Sequence, residues 1–284
     1  MKKLLLQLDS DKHPSSFDRI VPYDAGVDDV LSYGNVTLDD IEGLVQGAFF
    51  TRGELKNTAI WIGGSKVPVG EALLEKVLKT FFGPFKVSVM LDSNGCNTTA
   101  ATGVAKIVKA LDVKGQRVVV GGGTGPVGMR AAGMLASEGA NVVLTSRKLD
   151  RAQDAAQAVN ERFKVSSVEG AVIVDDDTAG EALVGATALF TCGAAGAHLV
   201  SKAVWTAIPS LKLIADINAV PPLGIEGIDM NDNGKEREGR ISFGAIGIGG
   251  RKMKVHRTCI ARLFKSNDVV MDAEQVYQVA KELV

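Results

Sequence analysis

The stretch that decides the fold is QRVVVGGGTGPVGMRAAGMLASEGANVVLTSRK, residues 116–148. An apolar run leads into a glycine-rich loop, a helical pattern and a second apolar run. Inside it, GTGPVG at 123–128 matches G-x-G-x-x-G, and in a strand–loop–helix context that pattern is typical of dinucleotide-binding folds. We predict that Gly123 allows a tight turn, Gly125 lets the backbone approach a pyrophosphate, and Gly128 lets the helix pack closely on the sheet.

The helix that opens after this loop offers unpaired N–H groups and the positive end of its dipole to a phosphate. A plain strand-to-helix turn is the alternative interpretation. Because the loop has an apolar strand before it and a helical pattern after it, we predict that it binds a dinucleotide through Gly123, Thr124, Gly125, Pro126, Val127 and Gly128.

The second apolar run ends in LTSRK, residues 144–148. An acid about 20 residues after the glycine loop normally binds the ribose hydroxyls of NAD, and it repels a 2′-phosphate. Here the chain has Ser146, Arg147 and Lys148 instead. A hydroxyl, a forked guanidinium and an ammonium all suit a 2′-phosphate. A solvated charged turn is the alternative, but beside the glycine loop these residues predict NADP.

Composition places the chain among globular α/β proteins. It has 284 residues, of which 46% are hydrophobic and 23% charged. Short apolar runs alternate with helical patterns, and the runs are apolar on both faces, as in a covered parallel sheet. We predict an N-terminal α/β substrate domain over 1–112, a Rossmann-type NADP-binding domain with a parallel sheet over 113–252, and helices over 253–284 that pack on the first domain. The last of these helices lies at the C-terminus and is expected to return to the N-terminal domain.

Several classes of partner are not indicated. The net charge of −1 predicts no general attraction to nucleic acid or to a membrane. Three scattered cysteines and three scattered histidines show no metal-ligand spacing, so no metal site is expected. No apolar run approaches the roughly 20 residues of a membrane span, and the first run is too short for a signal peptide. We therefore expect a cytoplasmic protein.

Six stretches carry a resemblance: GTGPVGMR from the glycine loop, and FFGPF, MLDSNGCNTTAA, ERFKV, PPLGIEGID and GIGGRKMKVHR. Together they resemble the NADP-dependent methylene-tetrahydromethanopterin dehydrogenases of methylotrophic bacteria, nearly from end to end. The resemblance implies oxidation of a methylene-tetrahydropterin to its methenyl cation with NADP in one-carbon metabolism. In some members the folate analogue is also a substrate. It further implies a cleft between a pterin-binding domain and the nucleotide domain, and a homotrimer.

This chemistry is consistent with what the sequence lacks. Removal of a hydride from the methylene carbon leaves a cation shared by two nitrogens, so no proton has to move in that step. Such an enzyme has to position two rings and needs no nucleophile, metal or histidine relay.

Two segments are candidates for the substrate. DSNGCNTTAATG follows an apolar strand, at the end where α/β proteins bind ligands, although Asn and Thr are also common helix caps. SSFD could hold the amide edge and the face of a pterin, although its phenylalanine could equally be core. The predicted substrate-binding residues are Ser16, Phe17, Asp18, Asp92, Asn94, Asn97, Thr98 and Thr99.

Lys252 follows GIGG, which is predicted to be a glycine-rich loop, and could donate to the pterin carbonyl, which makes it the predicted catalytic residue. Lys254 is interpreted as a surface charge and His256 as a packed histidine. The turn AVPPLG and the segment after the fourth strand of the nucleotide domain are expected near the nicotinamide. The predicted contacts there are Ala194, Ala195, Asn218, Pro221 and Ile246.

Two other functions remain open. Shikimate dehydrogenases also place a substrate domain before an NADP domain, and GNVT at 34–37 is similar to their substrate loop. That loop should continue with Pro and a catalytic Lys, whereas this chain continues LDDIEG. The other alternative is an NADPH-binding protein without turnover. The glycine-rich loops in both halves of the chain argue against it.

Overall fold

The computed structural model describes residues 1–284, and their contacts divide into two compact units. The first unit comprises residues 1–98 and 253–283, and the second comprises residues 99–252 with residue 284. The helices are α1 (Ser16–Asp24), α2 (Ile41–Phe50), α3 (Val67–Thr80), α4 (Cys96–Ala110), α5 (Pro126–Ser137), α6 (Leu149–Phe163), α7 (Asp176–Leu183), α8 (Lys202–Thr206), α9 (Ala245–Leu263) and α10 (Ala273–Leu283). The strands are β1 (Leu4–Leu8), β2 (Asp29–Tyr33), β3 (Thr58–Ile62), β4 (Ser88–Leu91), β5 (Arg117–Gly121), β6 (Asn141–Ser146), β7 (Val168–Val172), β8 (Ala186–Thr191), β9 (Leu213–Asp216), β10 (Asn233–Arg237), β11 (Arg240–Phe243) and β12 (Val270–Met271).

The first unit is built on a five-stranded parallel sheet in the order β12-β4-β3-β1-β2. Every residue of β3 is buried, as expected of a central parallel strand covered on both faces. Leu73 and Val77 of α3 pack into its core with Phe49 of α2. In the sequence, Val69, Leu73, Val77 and Phe81 recur at helical spacing, which predicts an amphipathic helix with Val69 on its buried face. Val69 is 38% exposed, because the buried face is centred on Leu73, Leu74 and Val77.

The second unit is the Rossmann-type domain that the glycine loop predicts. Its seven-stranded sheet has the order β10-β11-β9-β8-β5-β6-β7, and only the β10–β11 pair is antiparallel. The chain runs outward from β5 through β6 to β7 and then crosses to β8, on the other side of β5. The strand order therefore reverses between β5 and β8, which is where open α/β sheets bind ligands.

The division between the units lies inside α4, between Thr98 and Thr99, whereas the sequence places a domain boundary after Asp112. α4 is one continuous helix, and its second half packs on the second unit. A Cβ on Gly103 would lie 2.5 Å from the ring carbon Cζ of Phe190 in β8. The turn at DVKGQ, residues 112–116, therefore follows a helix whose second half belongs to the second unit.

The sequence predicts a loop at GIGG, residues 247–250, and this is wrong. Residues 245–250 are the first turns of α9. Gly244 and Gly247 face the carbonyl groups of Asp229 and Asp232 at distances that leave no room for a Cβ. The glycines are there because the helix start packs directly on backbone.

None of the ten helices combines the length and the apolar character that crossing a membrane would require.

Candidate functional site

The glycine loop joins β5 to α5. The left-handed residue of this turn is Gly122, with φ of 61°, which lies directly before the motif. Gly123 has a packing role. A Cβ on it would lie 2.8 Å from the carbonyl oxygen of Val120 and 2.9 Å from Cγ of Leu144. The loop thus lies directly on β5 and β6.

The other two glycines of the motif have opposite surroundings. A Cβ on Gly125, the residue that caps α5, would meet no atom within 4 Å. A Cβ on Gly128 would lie 2.5 Å from the Cα of Gly123. The N–H groups of the first turn of α5 therefore border open space at Gly125, while Gly128 closes the helix onto the loop. An open helix N-terminus of this kind fits a phosphate.

These surroundings predict different outcomes for two alanine variants. Gly128→Ala should lower the free energy of unfolding by about 1–3 kcal/mol through overpacking and abolish NADP binding. Gly125→Ala should cost at most about 1 kcal/mol as a poorer helix cap, yet raise KM for NADP about 10-fold by displacing a phosphate from its charge-assisted hydrogen bonds. Chemical denaturation and NADP titration of both variants test this. Unchanged NADP affinity in Gly125→Ala would show that the open space is not a phosphate site.

Thr145 connects the glycine loop to the segment that carries the predicted specificity residues. Its hydroxyl oxygen accepts a hydrogen bond from the N–H of Gly122 at 3.1 Å, and its carbonyl oxygen accepts one from Gly123 at 2.9 Å. The next residue, Ser146, ends β6 half-buried, and Arg147 and Lys148 are exposed. Neither cation makes an ion pair. The structure thus sets two uncompensated positive charges beside the glycine loop.

The loops after β8 and β9 are joined through one buried amide. The side-chain oxygen of Asn218 accepts hydrogen bonds from Val220 N–H at 2.9 Å and Gly196 N–H at 3.4 Å, and its amide donates to the carbonyl of Pro222 at 3.1 Å. Of the predicted nicotinamide contacts, Asn218 is buried and holds the loops together. The exposed ones are Ala194, Ala195, Pro221 and Ile246.

Sequence reasoning missed the carboxylate that anchors Asn218. Asp216 is buried at the end of β9 and accepts hydrogen bonds from Thr191 hydroxyl at 2.8 Å, Asn218 N–H at 3.0 Å and Gly224 N–H at 2.7 Å. Burial raises the pKa of Asp216, although these hydrogen bonds oppose the shift. An acid at the end of an otherwise apolar strand was the available signal in the sequence.

In the first unit, polar loops follow β1, β3 and β4; we call residues 9–11, 63–65 and 92–95 the N-terminal rim. Asp11 accepts hydrogen bonds from the N–H and hydroxyl of Ser65, both at 2.9 Å. The hydroxyl of Ser93 donates to the carbonyl of Gly63 at 2.7 Å, and the N–H of Asn94 donates to that of Gly64 at 2.8 Å. The rim is therefore one connected structure at the carboxyl edge of the sheet, where ligands of α/β proteins bind.

The predicted substrate loop after β4 is mostly internal. Asp92 accepts hydrogen bonds from the N–H of Thr98 at 3.0 Å and from its hydroxyl at 2.6 Å. The Asn97 amide donates to the carbonyl of Leu91 at 2.7 Å and to Asp272 at 3.1 Å. All three side chains are buried, whereas Asn94 is exposed and Thr99, which belongs to the second unit, is half-buried. The geometry favours a capping role for most of this loop.

An aromatic stack lies beside the rim. The buried rings of Trp61 and His256 are parallel, with centroids 4.7 Å apart, and the Phe17 ring lies 5.8 Å from His256. Phe17 is 45% exposed, so it is not the core residue that the alternative interpretation allowed. His256 is packed, as predicted. Trp61 was missed, because a tryptophan in an apolar strand looks like ordinary core.

Carboxylates surround Gly63 next to this stack. A Cβ on Gly63 would lie 3.1 Å from a carboxylate oxygen of Asp9, and 3.4 Å from both Asp18 Oδ2 and Trp61 Nε1. Asp18 is half-buried in the first turn of α1, and Ser16 before it is exposed. Lys252, in α9, is half-buried four residues before His256. Asp9 is buried and was not predicted as a site residue.

The three thiols are free and buried. Burial raises the pKa of Cys259 to about 12 and that of Cys192 well above its usual range, with the charge of Asp216 adding to the second shift. Because the thiolate is the reactive form, we expect no reaction of the native protein with a chromogenic disulfide reagent at neutral pH. All three should react after denaturation. Rapid labelling of a thiol in the native protein, with loss of activity, would show that at least one of the three cysteines is accessible and reactive.

Comparisons with known proteins agree along the whole chain. A family model described as methylene-tetrahydromethanopterin dehydrogenase, N-terminal, matches residues 16–94. Bifunctional protein MdtA of Methylorubrum extorquens is 55% identical over 286 residues, covering 99% of each chain. NAD(P)-dependent methylenetetrahydromethanopterin dehydrogenase of the same organism is 30% identical, again over 99% of each. A solved quinate dehydrogenase from Corynebacterium glutamicum, 16% identical with a TM-score of 0.51 over 99% of each chain, shares the fold alone.

Proposed function

Because this chain belongs to the methylene-tetrahydromethanopterin dehydrogenase family, we propose that it oxidises methylene-tetrahydromethanopterin to the methenyl form with NADP. The observation that carries the proposal is the identity of 55% over 99% of both chains with bifunctional protein MdtA. We propose methylene-tetrahydrofolate as a second substrate, on the resemblance of the sequence motifs. The similarity to quinate dehydrogenase is confined to fold, so it does not favour a shikimate-type activity.

The second unit fits NADP. The open face at Gly125 and the first turn of α5 would hold the pyrophosphate. Arg147 and Lys148, which have no ion-pair partners, would hold the 2′-phosphate together with Ser146, since a guanidinium can bind phosphate through two parallel hydrogen bonds. When bound, NADP supplies the hydride acceptor.

The loops joined by Asn218 are the proposed contacts of the nicotinamide and its ribose. They include exposed backbone after β8 and in the turn after β9, which Asn218 and Asp216 hold in fixed positions. Fixed backbone suits a reaction whose rate depends on how two rings are positioned. The residues proposed here are Ala194, Ala195, Asn218, Pro221 and Ile246.

The first unit fits a pterin. The half-exposed Phe17 ring, backed by His256 and Trp61, offers a face on which an aromatic ring can stack. The Asp18 carboxylate beside Gly63 can accept hydrogen bonds from the amino and amide N–H groups of a pterin. We propose that Ser16, Phe17, Asp18, Asn94 and Thr99 contact the substrate. Asp92, Asn97 and Thr98 hold the loop that presents Asn94.

Lys252 is the proposed orienting residue, donating to the pterin carbonyl. The hydride leaves the methylene carbon with its electron pair, and the remaining cation is shared by the two flanking nitrogens. No proton is transferred in this step, so the chain has to bind, orient and exclude water. We also propose a homotrimer and a reducing, cytoplasmic setting; the free, buried cysteines suit such a compartment.

An absorbance assay of NADPH formation tests the proposal. We expect turnover of methylene-tetrahydromethanopterin and of methylene-tetrahydrofolate with NADP, and a strong preference for NADP over NAD. The ratio of kcat/KM for the two carriers identifies the working substrate. Tight NADPH binding without turnover of either carrier would favour the non-catalytic alternative. Oxidation of shikimate instead would reject the proposal.

A further inference from the structure

The outer face of α9 carries the most concentrated positive charge in the chain. Residues 251–265 contain six Lys and Arg and no acid, in a protein whose net charge is −1. Four of these cations lie at helical spacing on one face and line an open cavity of about 400 Å³ in the first unit. The cavity is lined by Lys254, Arg257, Thr258, Ala261, Arg262 and Lys265 of α9 and its end, with Asp24 and Ala25 after α1.

These charges are only partly compensated within the protein. Arg262 forms an ion pair with Glu282, and Arg257 approaches the exposed carboxylate of Asp24 at 3.9 Å. Lys254 and Lys265 make no ion pair and are exposed. The dipole of α9 stabilises cations near its C-terminal end, which accounts for Arg262 and Lys265. It does not account for Lys254 and Arg257 in the middle of the helix.

The cavity lies on α1 and α9, the two helices that also carry Phe17 and His256 of the proposed pterin-binding face. Along α1, Phe17 and Asp24 are seven residues apart, which is about 10 Å of helix. A ligand that stacks on Phe17 and extends along these helices would bring a distal group to the cavity.

We propose that this cavity, the α9 basic cavity, binds the acidic tail of the tetrahydropterin carrier. Tetrahydrofolate and tetrahydromethanopterin both carry carboxylates at the end remote from the reacting carbon, beyond an aryl linker. Carboxylates are the natural partners of exposed ammonium and guanidinium groups. The inference rests on the proposed function and extends it, because it assigns recognition of the tail to the charges of one helix face.

The test compares three carriers: methylene-tetrahydropteroate, which has no glutamate, methylene-tetrahydrofolate with one glutamate, and the same with three. We expect KM of the wild-type protein to fall as glutamates are added, with kcat nearly constant. The double variant Lys254→Gln/Lys265→Gln breaks no ion pair. It should raise KM for the triglutamate between about 2-fold and about 10-fold, as expected for two solvent-exposed charge pairs. KM for the pteroate should stay unchanged.

Lys2→Gln is the matched control, because Lys2 is exposed in the same unit, makes no side-chain ion pair and does not line the cavity. It should keep the wild-type dependence on glutamate number. Inhibition by p-aminobenzoyl-triglutamate, the tail without the pterin, should weaken in the double variant only. This second measurement does not depend on turnover of the variant.

Two results would overturn the inference while leaving the proposed function intact. One is wild-type turnover with the same KM for all three carriers. The other is an equal rise in KM for all three in the double variant, which would show a general effect of charge. Absence of turnover with all three folate carriers and also with methylene-tetrahydromethanopterin in the wild-type protein would reject the proposed function and the tail site together.

Discussion

We expect Arg147→Ala to raise KM for NADP about 10-fold to about 100-fold, while KM for NAD stays nearly unchanged. Arg147 is exposed beside the glycine loop and makes no ion pair, so its guanidinium is available to a 2′-phosphate that only NADP carries. A hydrogen bond to a charged group contributes about 1.5–3 kcal/mol, which corresponds to the expected range. Initial rates with each cofactor, at saturating methylene-tetrahydrofolate, give the comparison.

Arg151→Ala is the matched control. Arg151 is an exposed arginine in the first turn of α6, four residues beyond Arg147, and its side chain makes no ion pair. Its replacement removes the same charge close to the site and should change KM for NADP by less than about 2-fold, as is usual for an exposed charge. An equal loss of affinity for NADP and NAD in Arg147→Ala would show that Arg147 supports the loop and does not select the cofactor.

The strands that sequence predicts are those whose side chains are buried on both faces. β1, β3, β5 and β8 are short apolar runs, and each is almost entirely buried. The sequence did not predict the β10–β11 hairpin, because its first strand is exposed and polar. Its turn places Glu238 and Gly239 at φ of 48° and 75°. Glutamate is not a residue that such turns favour, so the turn carries no clear sequence signal.

The nucleotide site could be predicted because its determinants are local. The glycine loop, the start of α5 and the SRK segment lie within 33 residues of one another in the sequence. Thr145, which joins two of these parts, could not be identified without the register of β6 against β5. Asn218 was predicted, but its anchor Asp216 depends on contacts with Thr191 in a neighbouring strand.

The N-terminal rim depends still more on tertiary structure. Asp11 contacts Ser65 across 54 residues of sequence, and Asp9 approaches Gly63 only because β1 pairs in parallel with β3. No periodicity in the sequence specifies that pairing. In the loop after β4, composition alone leaves binding and capping open. Its Asn and Thr residues have the composition of a binding site, but most of them satisfy hydrogen bonds within their own loop.

The second large effect is expected at Lys252, whose replacement separates orientation of the substrate from proton transfer. We expect Lys252→Ala to bind NADP normally, because the glycine loop and the SRK segment hold that cofactor. It should lose affinity for the substrate and lower kcat by up to about 100-fold, since a ring held about 1 Å out of place can reduce the rate by that factor. Arg251→Ala, which removes a positive charge from the exposed neighbour of Lys252 in α9, is the control and should keep KM and kcat.

The nature of the step is tested with substrate deuterated at the methylene carbon. If hydride transfer limits the rate, the wild-type protein shows a primary isotope effect, and Lys252→Ala shows one at least as large because misplacement slows that same step. A solvent isotope effect on kcat should be absent from both proteins, since an orienting lysine contributes no proton to the reaction. A solvent isotope effect that is present in the wild-type protein and absent from Lys252→Ala would identify Lys252 as an acid or base. A fully active Lys252→Ala would show that other residues orient the pterin, with Asp18 the first to test because its carboxylate lies beside Gly63 and Phe17.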